Sequence, residues 1–255
     1  MKRYVKNFII QSLKANKISN PANPLTGNKV NDEYFDEMCY NGNSWQLCNL
    51  GRTATSYSSD TIVVVLESPH IDEFDINGRG RYPLVNDLRM KRNFGALIDD
   101  ATKRGILVLN QSKRYSIYLM NAIQYQCSLG LPTKYYRDYV FMYYWNHPSN
   151  DFKERLKKIV AKNNVEAIIN LCTIGAHSGN TKIYNQSAGR YENMQKSFGI
   201  TFLNKCNFCI PPKLKGYSIK CYIQHKIDAT TPSIQHLQGC HPSSKKFSTT
   251  RFQPI

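Results

Sequence analysis

The sequence predicts an α/β fold in which a parallel sheet carries helices on both faces. Two observations lead there. Short, uninterrupted β-branched runs are the pattern of strands buried on both sides, and amphipathic stretches alternate with them along the chain. Thr61–Leu66 is such a run and reads as a buried strand. Asn93–Arg104 sets Phe94, Leu97, Ile98 and Ala101 at helical spacing and stops at Gly105. Ser116–Ile123 is a second strand. Asp151–Asn163 places Phe152, Leu156, Ile159 and Val160 on one stripe, with its five Lys/Arg elsewhere. Val165–Leu171 is a third buried strand, followed by a turn at Gly175, and Phe202 and Tyr217–Gln224 supply one or two more. Ahead of the alternation, Val5, Ile9, Ile10 and Leu13 mark a helix over residues 4–15, and residues 16–60 are polar and Asn-rich. The chain therefore divides into a helical and loop extension, 1–60, lying on a core of 61–255.

Composition narrows the function classes. With 255 residues, 41% hydrophobic and 12% aromatic, the chain has ample material for a core, which excludes disorder as its main state. Thirty-four Lys+Arg against 18 Asp+Glu leave +16, the balance of a protein that accumulates on a polyanion. The last 55 residues carry eight Lys/Arg against Asp228 alone, so the C-terminal surface is basic. The longest aliphatic run, Ile62–Leu66, falls far short of the ~20 residues of a membrane span. The basic N-terminal stretch is too interrupted for a signal peptide. A cytoplasmic protein without a membrane partner is expected, with its eight cysteines as free thiols. One subset allows a metal: Cys206 and Cys209 form a C-x2-C pair, with Cys221 and His225 following at a spacing compatible with a zinc knuckle. The alternative is a strand, a Pro-Pro-Lys turn and a second strand over Tyr217–Gln224, whose thiols pack inward.

In parallel sheets, ligands bind beyond the carboxyl ends of the strands, so the residues there are the candidate site. Thr61–Leu66 runs into Glu67-Ser68-Pro69-His70-Ile71-Asp72-Glu73, where a proline would stiffen a polar loop at the mouth of the sheet. The second strand ends in Tyr118-Leu119-Met120-Asn121. A buried Asn needs partners, and its amide offers the acceptor and donors that suit the edge of a pyrimidine. Near the C-terminus, Gly239-Cys240-His241-Pro242-Ser243-Ser244-Lys245-Lys246 combines an imidazole, a stiff turn, hydroxyls and ammonium groups. Such a set can grip phosphates while the imidazole donates to an oxygen that becomes negative.

Together these segments resemble the uracil-DNA glycosylase superfamily. Glu67-Ser68-Pro69-His70 looks like that family's first motif, Gly-Gln-Asp-Pro-Tyr or Gly-Glu-Ala-Pro-Gly. His241-Pro242-Ser243-Ser244 is similar to its second, His-Pro-Ser-Pro, and Tyr118–Asn121 to the strand with its base-reading Asn. Gly80-Arg81-Tyr82-Pro83 resembles a Gly-Arg-Pro-Phe stretch, and Leu171–Ala176 falls where the family has a Leu-Gly-x-x-Ala turn. The resemblance spans residues 60–250. It implies a three-layer α/β/α sandwich around a four-stranded parallel sheet, no cofactor or metal, a monomer, and double-stranded DNA as partner. It also implies roles. His241 would assist the departing base, Asn121 would read its Watson–Crick edge, Tyr82 would stack on it, and Ser243, Ser244, Lys245 and Lys246 would hold flanking phosphates.

Departures from the pattern shape the expected chemistry. Ser68 stands where a water-orienting Asp or Asn is frequent, which moves the carboxylate role to Glu67, Asp72 or Glu73. Lys245 replaces the leucine that plugs the flipped-out gap, with Phe247 or Arg251 as substitutes. His70 and Ile71 replace the aromatic that excludes C5 substituents, leaving room for a larger base. A superfamily branch in bacterial antiphage defence excises α-glucosyl-5-hydroxymethylcytosine, and that substrate is the leading expectation. Repair of uracil or another deaminated base, and a basic DNA-binding module without catalysis, are the alternatives.

Overall fold

The computed structural model describes residues 29–48, 58–69, 73, 88–125, 127, 141, 144–145, 149–172, 182–185, 190–193, 219–239 and 253–254. Its strands are β1 (Glu33–Tyr40), β2 (Trp45–Leu47), β3 (Asp60–Leu66), β4 (Tyr115–Asn121), β5 (Asn164–Asn170), β6 (Lys182–Asn185), β7 (Arg190–Asn193), β8 (Gln235–Gln238) and β9 (Gln253–Pro254). Its helices are α1 (Leu88–Lys103), α2 (Phe152–Lys162) and α3 (Ile219–Thr230).

The β-branched run becomes β3, an interior strand of a seven-stranded sheet ordered β2-β1-β4-β3-β5-β8-β9. Consecutive buried residues are what two covered faces demand, and Ile62, Val63, Val64 and Val65 are each 0% exposed. Their side chains alternate. Ile62, Val64 and Leu66 pack with Phe94, Leu97, Ile98 and Ala101 of α1. Val63 and Val65 pack with Phe152, Leu156 and Ile159 of α2 and with Ile219, Ile223 and Ile227 of α3. Helices on both faces are therefore observed.

The sheet departs from the four-stranded parallel one expected. It is mixed: β4, β3, β5 and β8 are mutually parallel neighbours, but β1 joins antiparallel to β4, and β9 antiparallel to β8. The origin of β1 is a second correction. Residues 33–47, assigned to a helical and loop extension, supply two strands of the main sheet. In β1, Asp36 and Glu37 are buried beside Phe35 and Met38, and a register irregularity lies between Tyr34 and Asp36. Buried acids in an Asn-rich context hide the alternation that marks a half-buried strand.

The third correction concerns Tyr217–Gln224, expected as a strand: its described part, from Ile219 on, lies within α3. Ile219 and Ile223 satisfy both an alternating and a helical pattern, and only Ile227, one further turn along, separates the two; all three are fully buried. Thr231-Pro232 ends the helix because proline cannot supply the next backbone donor. The end of α1 follows the expected glycine stop. Gly105 adopts φ +65°, its N–H donates to Thr102 O at 3.0 Å and that of Ile106 to Ala101 O at 2.9 Å, which is a Schellman cap. The helix expected over residues 4–15, Phe202, and the Gly175 turn lie outside the described residues.

Candidate functional site

The parallel strands bring their carboxyl ends to one side of the sheet. In register, Leu66 of β3 pairs with Asn121 of β4, and Asn170 of β5 with both Val65 of β3 and Gln238 of β8. Glu67 follows Leu66 directly. Its carbonyl accepts the N–H of Ile123 at 3.0 Å, and that of Leu66 accepts the N–H of Ala122 at 2.7 Å. Glu67 and Asn121 thus occupy consecutive register positions of neighbouring strands at the end where a ligand is expected. Glu67 is 5% exposed and Glu73 3%, while Ser68 is half-buried.

Asn121 is the unusual residue here. It is fully buried, and among the described residues neither its side-chain oxygen nor its side-chain nitrogen has a hydrogen-bond partner. An unsatisfied buried amide costs roughly 1–3 kcal/mol. Its position on β4 places it on the same sheet face as Ile117 and Leu119, which pack toward α1. Asn170, the counterpart on β5, is satisfied: its nitrogen donates to Lys220 O and Gln224 Oε1, each at 3.0 Å, and its oxygen accepts the N–H of Cys172 at 3.1 Å. The two asparagines at the strand ends on either side of β3 therefore differ. One is locked into the fold, and the other carries an amide that the described residues do not engage.

The backbone of Asn121 is held from outside the sheet. Its N–H donates to Asp32 Oδ1 at 3.3 Å, and its carbonyl accepts from Arg155 Nη2 at 3.0 Å. Arg155 also forms an ion pair with Asp32 and donates from Nε to Asp151 Oδ1 at 2.8 Å. Burial pushes the Asp32 carboxyl above its ordinary range, against the opposing pull of the Arg155 charge. The sequence reading missed this pair because Arg155 stands among five basic residues of a helix whose polar face looks solvated. The available signal is that Arg155 directly precedes Leu156, at the border of the apolar stripe.

Neither of two cavities lined by described residues supplies a base pocket at these strand ends. One of about 20 Å³, room for a single water, has Lys29, Tyr125, Tyr144 and Arg155 in its wall beside Ala122. A larger one, about 230 Å³, lies at the opposite end of the sheet between Trp45, Asp99, Lys103 and Leu107. A further constellation looks catalytic: His236 lies between Asp228 Oδ1, 2.8 Å from Nδ1, and Thr231 Oγ1, 3.0 Å from Nε2. The Thr231 hydroxyl, however, donates to Ile227 O at 2.9 Å and is buried. The group ties the end of α3 to β8.

The remaining predicted residues divide as follows. His70, Tyr82, His241, Ser243, Ser244, Lys245 and Lys246, with Asp72, Phe247 and Arg251, lie outside the described residues. Of the zinc set, Cys221 and His225 stand four apart on α3, with His225 exposed, whereas Cys206 and Cys209 lie outside. Among the described residues, no group of three or more His, Cys, Asp or Glu is arranged to hold a metal. None of their helices is long and apolar enough to cross a membrane. No family model matches the chain, and no curated protein or solved structure matches it either.

Proposed function

We propose that the chain is a monofunctional DNA glycosylase that everts a modified pyrimidine nucleotide and hydrolyses its N-glycosidic bond. The single observation carrying this reading is the buried amide of Asn121, without a partner among the described residues, at a strand's carboxyl end, next in register to Glu67. A pyrimidine edge offers the donors and acceptors such an amide lacks. A base must leave the stack to reach it. Further support comes from the order of the parallel strands. β8 leads through Gly239, whose N–H donates to Asn170 O at 3.1 Å, into the His241-Pro242-Ser243-Ser244 sequence. At about 4.8 Å per strand, the ends of β3 and β8 are about 10 Å apart. The net charge of +16 suits a polyanionic partner.

In this mechanism the C1′–N bond breaks with its electron pair leaving on the base, and His241 donates to the base oxygen where negative charge collects. The Glu67 carboxylate stabilises the cationic sugar. Water adds to C1′, and its proton passes to solvent or to a neighbouring carboxylate, giving an abasic site and the free base. Tyr82 stacks on the everted base, and Ser243, Ser244, Lys245 and Lys246 hold flanking phosphates. The room implied by His70 and Ile71 favours a C5-substituted cytosine, with α-glucosyl-5-hydroxymethylcytosine of phage DNA as the leading substrate.

The test uses four duplexes, containing uracil, a thymine mismatch, 5-hydroxymethylcytosine or glucosylated phage sequence, each treated with alkali after incubation. Alkali-labile breaks in the glucosylated duplex support the reading. Breaks confined to uracil move the protein to repair. Salt-sensitive binding without breaks leaves a DNA-binding module, the reading that Ser68 in place of an acid favours.

A further inference from the structure

The way Asn121 is held carries an inference that rests on the glycosylase reading. β1 and β4 pair from Glu33↔Leu119 toward the other end of both strands. At Asn121 the register of β1 has run out. The N–H of Ala122 points to β3, donating to Leu66 O, so the N–H and carbonyl of Asn121 point the other way, where no strand of the described residues lies. Asp32 and Arg155 take that strand's place: the carboxylate accepts the N–H, and the guanidinium donates to the carbonyls of Asn121 and, at 3.3 Å, Ala122. The pair comes from two elements, α2 and the segment before β1, and that segment is itself tied by Val30 N–H to Gln124 O at 2.9 Å.

A further residue of backbone would complete the same ladder without burying charge. Two ions, with side chains 6% and 16% exposed, cost desolvation that backbone groups do not. A planar guanidinium bonded to a carboxylate and two successive carbonyls fixes direction as well as distance. The residue held in this way carries a buried amide that the described residues leave unengaged. We propose that Asp32 and Arg155 are a positioning pair that holds Asn121 so that its side-chain amide meets the everted pyrimidine in one orientation.

Arg155→Lys tests the proposal, because one ammonium keeps the charge but cannot span Asp32 and both carbonyls. Backbone hydrogen exchange at Asn121 should rise at least about tenfold, with Val63 and Val64 of the strand interior unchanged. On a duplex that wild type processes, kcat should fall at least about tenfold with KM within about twofold, and discrimination between pyrimidines should narrow. Exchange at Asn121 that stays at the wild-type rate overturns the proposal, as does a loss confined to KM. If Arg155→Lys fails to fold, Asp32→Asn/Arg155→Met, which leaves no lone buried charge, replaces it under the same criteria. A wild type that releases no base from any duplex removes the glycosylase reading, and the exchange at Asn121 still decides whether the pair holds that residue.

Discussion

In the proposed glycosylase, folding and function pull in opposite directions at Asn121. A leucine, with the same heavy-atom branching, would leave no polar atom without a partner there, whereas both polar atoms of the amide find none among the described residues. Asn121→Leu is therefore expected to raise the unfolding free energy by about 1–2 kcal/mol in denaturant titration, while base release disappears. A destabilised Asn121→Leu would mean that the fold itself needs the amide. A second residue shows burial tuning reactivity. Burial, reinforced by contact with Cys39, pushes the Cys48 thiol up to about 12 from an ordinary 9.0, which lowers its thiolate fraction. Iodoacetamide at mildly alkaline pH should label Cys48 far more slowly in the native protein than after unfolding, as read by mass spectrometry. Equal rates would show that the thiol is not shielded.

At the scale of elements, each helix owes its place to a stripe, and α1 also to its stop. Gly105 is at φ +65° with nothing within 4 Å of where a Cβ would stand, so its substitution meets backbone strain alone. Gly105→Ala should cost about 1–2 kcal/mol in thermal or chemical unfolding. No loss would mean that the cap re-forms around an alanine. The same elements show what the sequence made legible. α1, α2 and β3–β5 were readable because apolar periodicity is strong and burial simple on their faces. α3 was misread because a window ending at Gln224 cannot distinguish a period of two from a turn of helix. β1 was missed because Asp36 and Glu37 are buried against polar partners, as where Glu37 Oε1 accepts the N–H of Ser58 at 2.6 Å. β8 was missed because Leu237 is its one apolar residue. In the candidate site, the placement of Glu67 and Asn121 at the strand ends was legible because polar residues there close apolar runs. Asp32 and Arg155 were not, since their role lies in contacts across 123 residues of chain.

For the whole molecule, the charge of +16 and the strand ends make separate contributions. In the proposed glycosylase the charge would supply affinity without selectivity, and the strand ends the reading of one base. Binding to an unmodified duplex should therefore weaken steeply with salt, by about 100-fold between ~50 and ~200 mM if about four phosphates are neutralised. The preference for a modified duplex over an unmodified one should survive that change. Salt-independent binding would remove the electrostatic part of the account.

The central claim is that Asn121, Glu67 and His241 act together on one everted nucleotide. The most direct measurement is mass-spectrometric detection of free base in single-turnover reactions on the glucosylated duplex, with wild type, Asn121→Ala and His241→Ala. The expected result is free base from wild type in amounts equal to the alkali-labile sites, and at least about 100-fold slower release from either variant with duplex binding retained. Free base released at wild-type rate by both variants, or none from wild type, would contradict it.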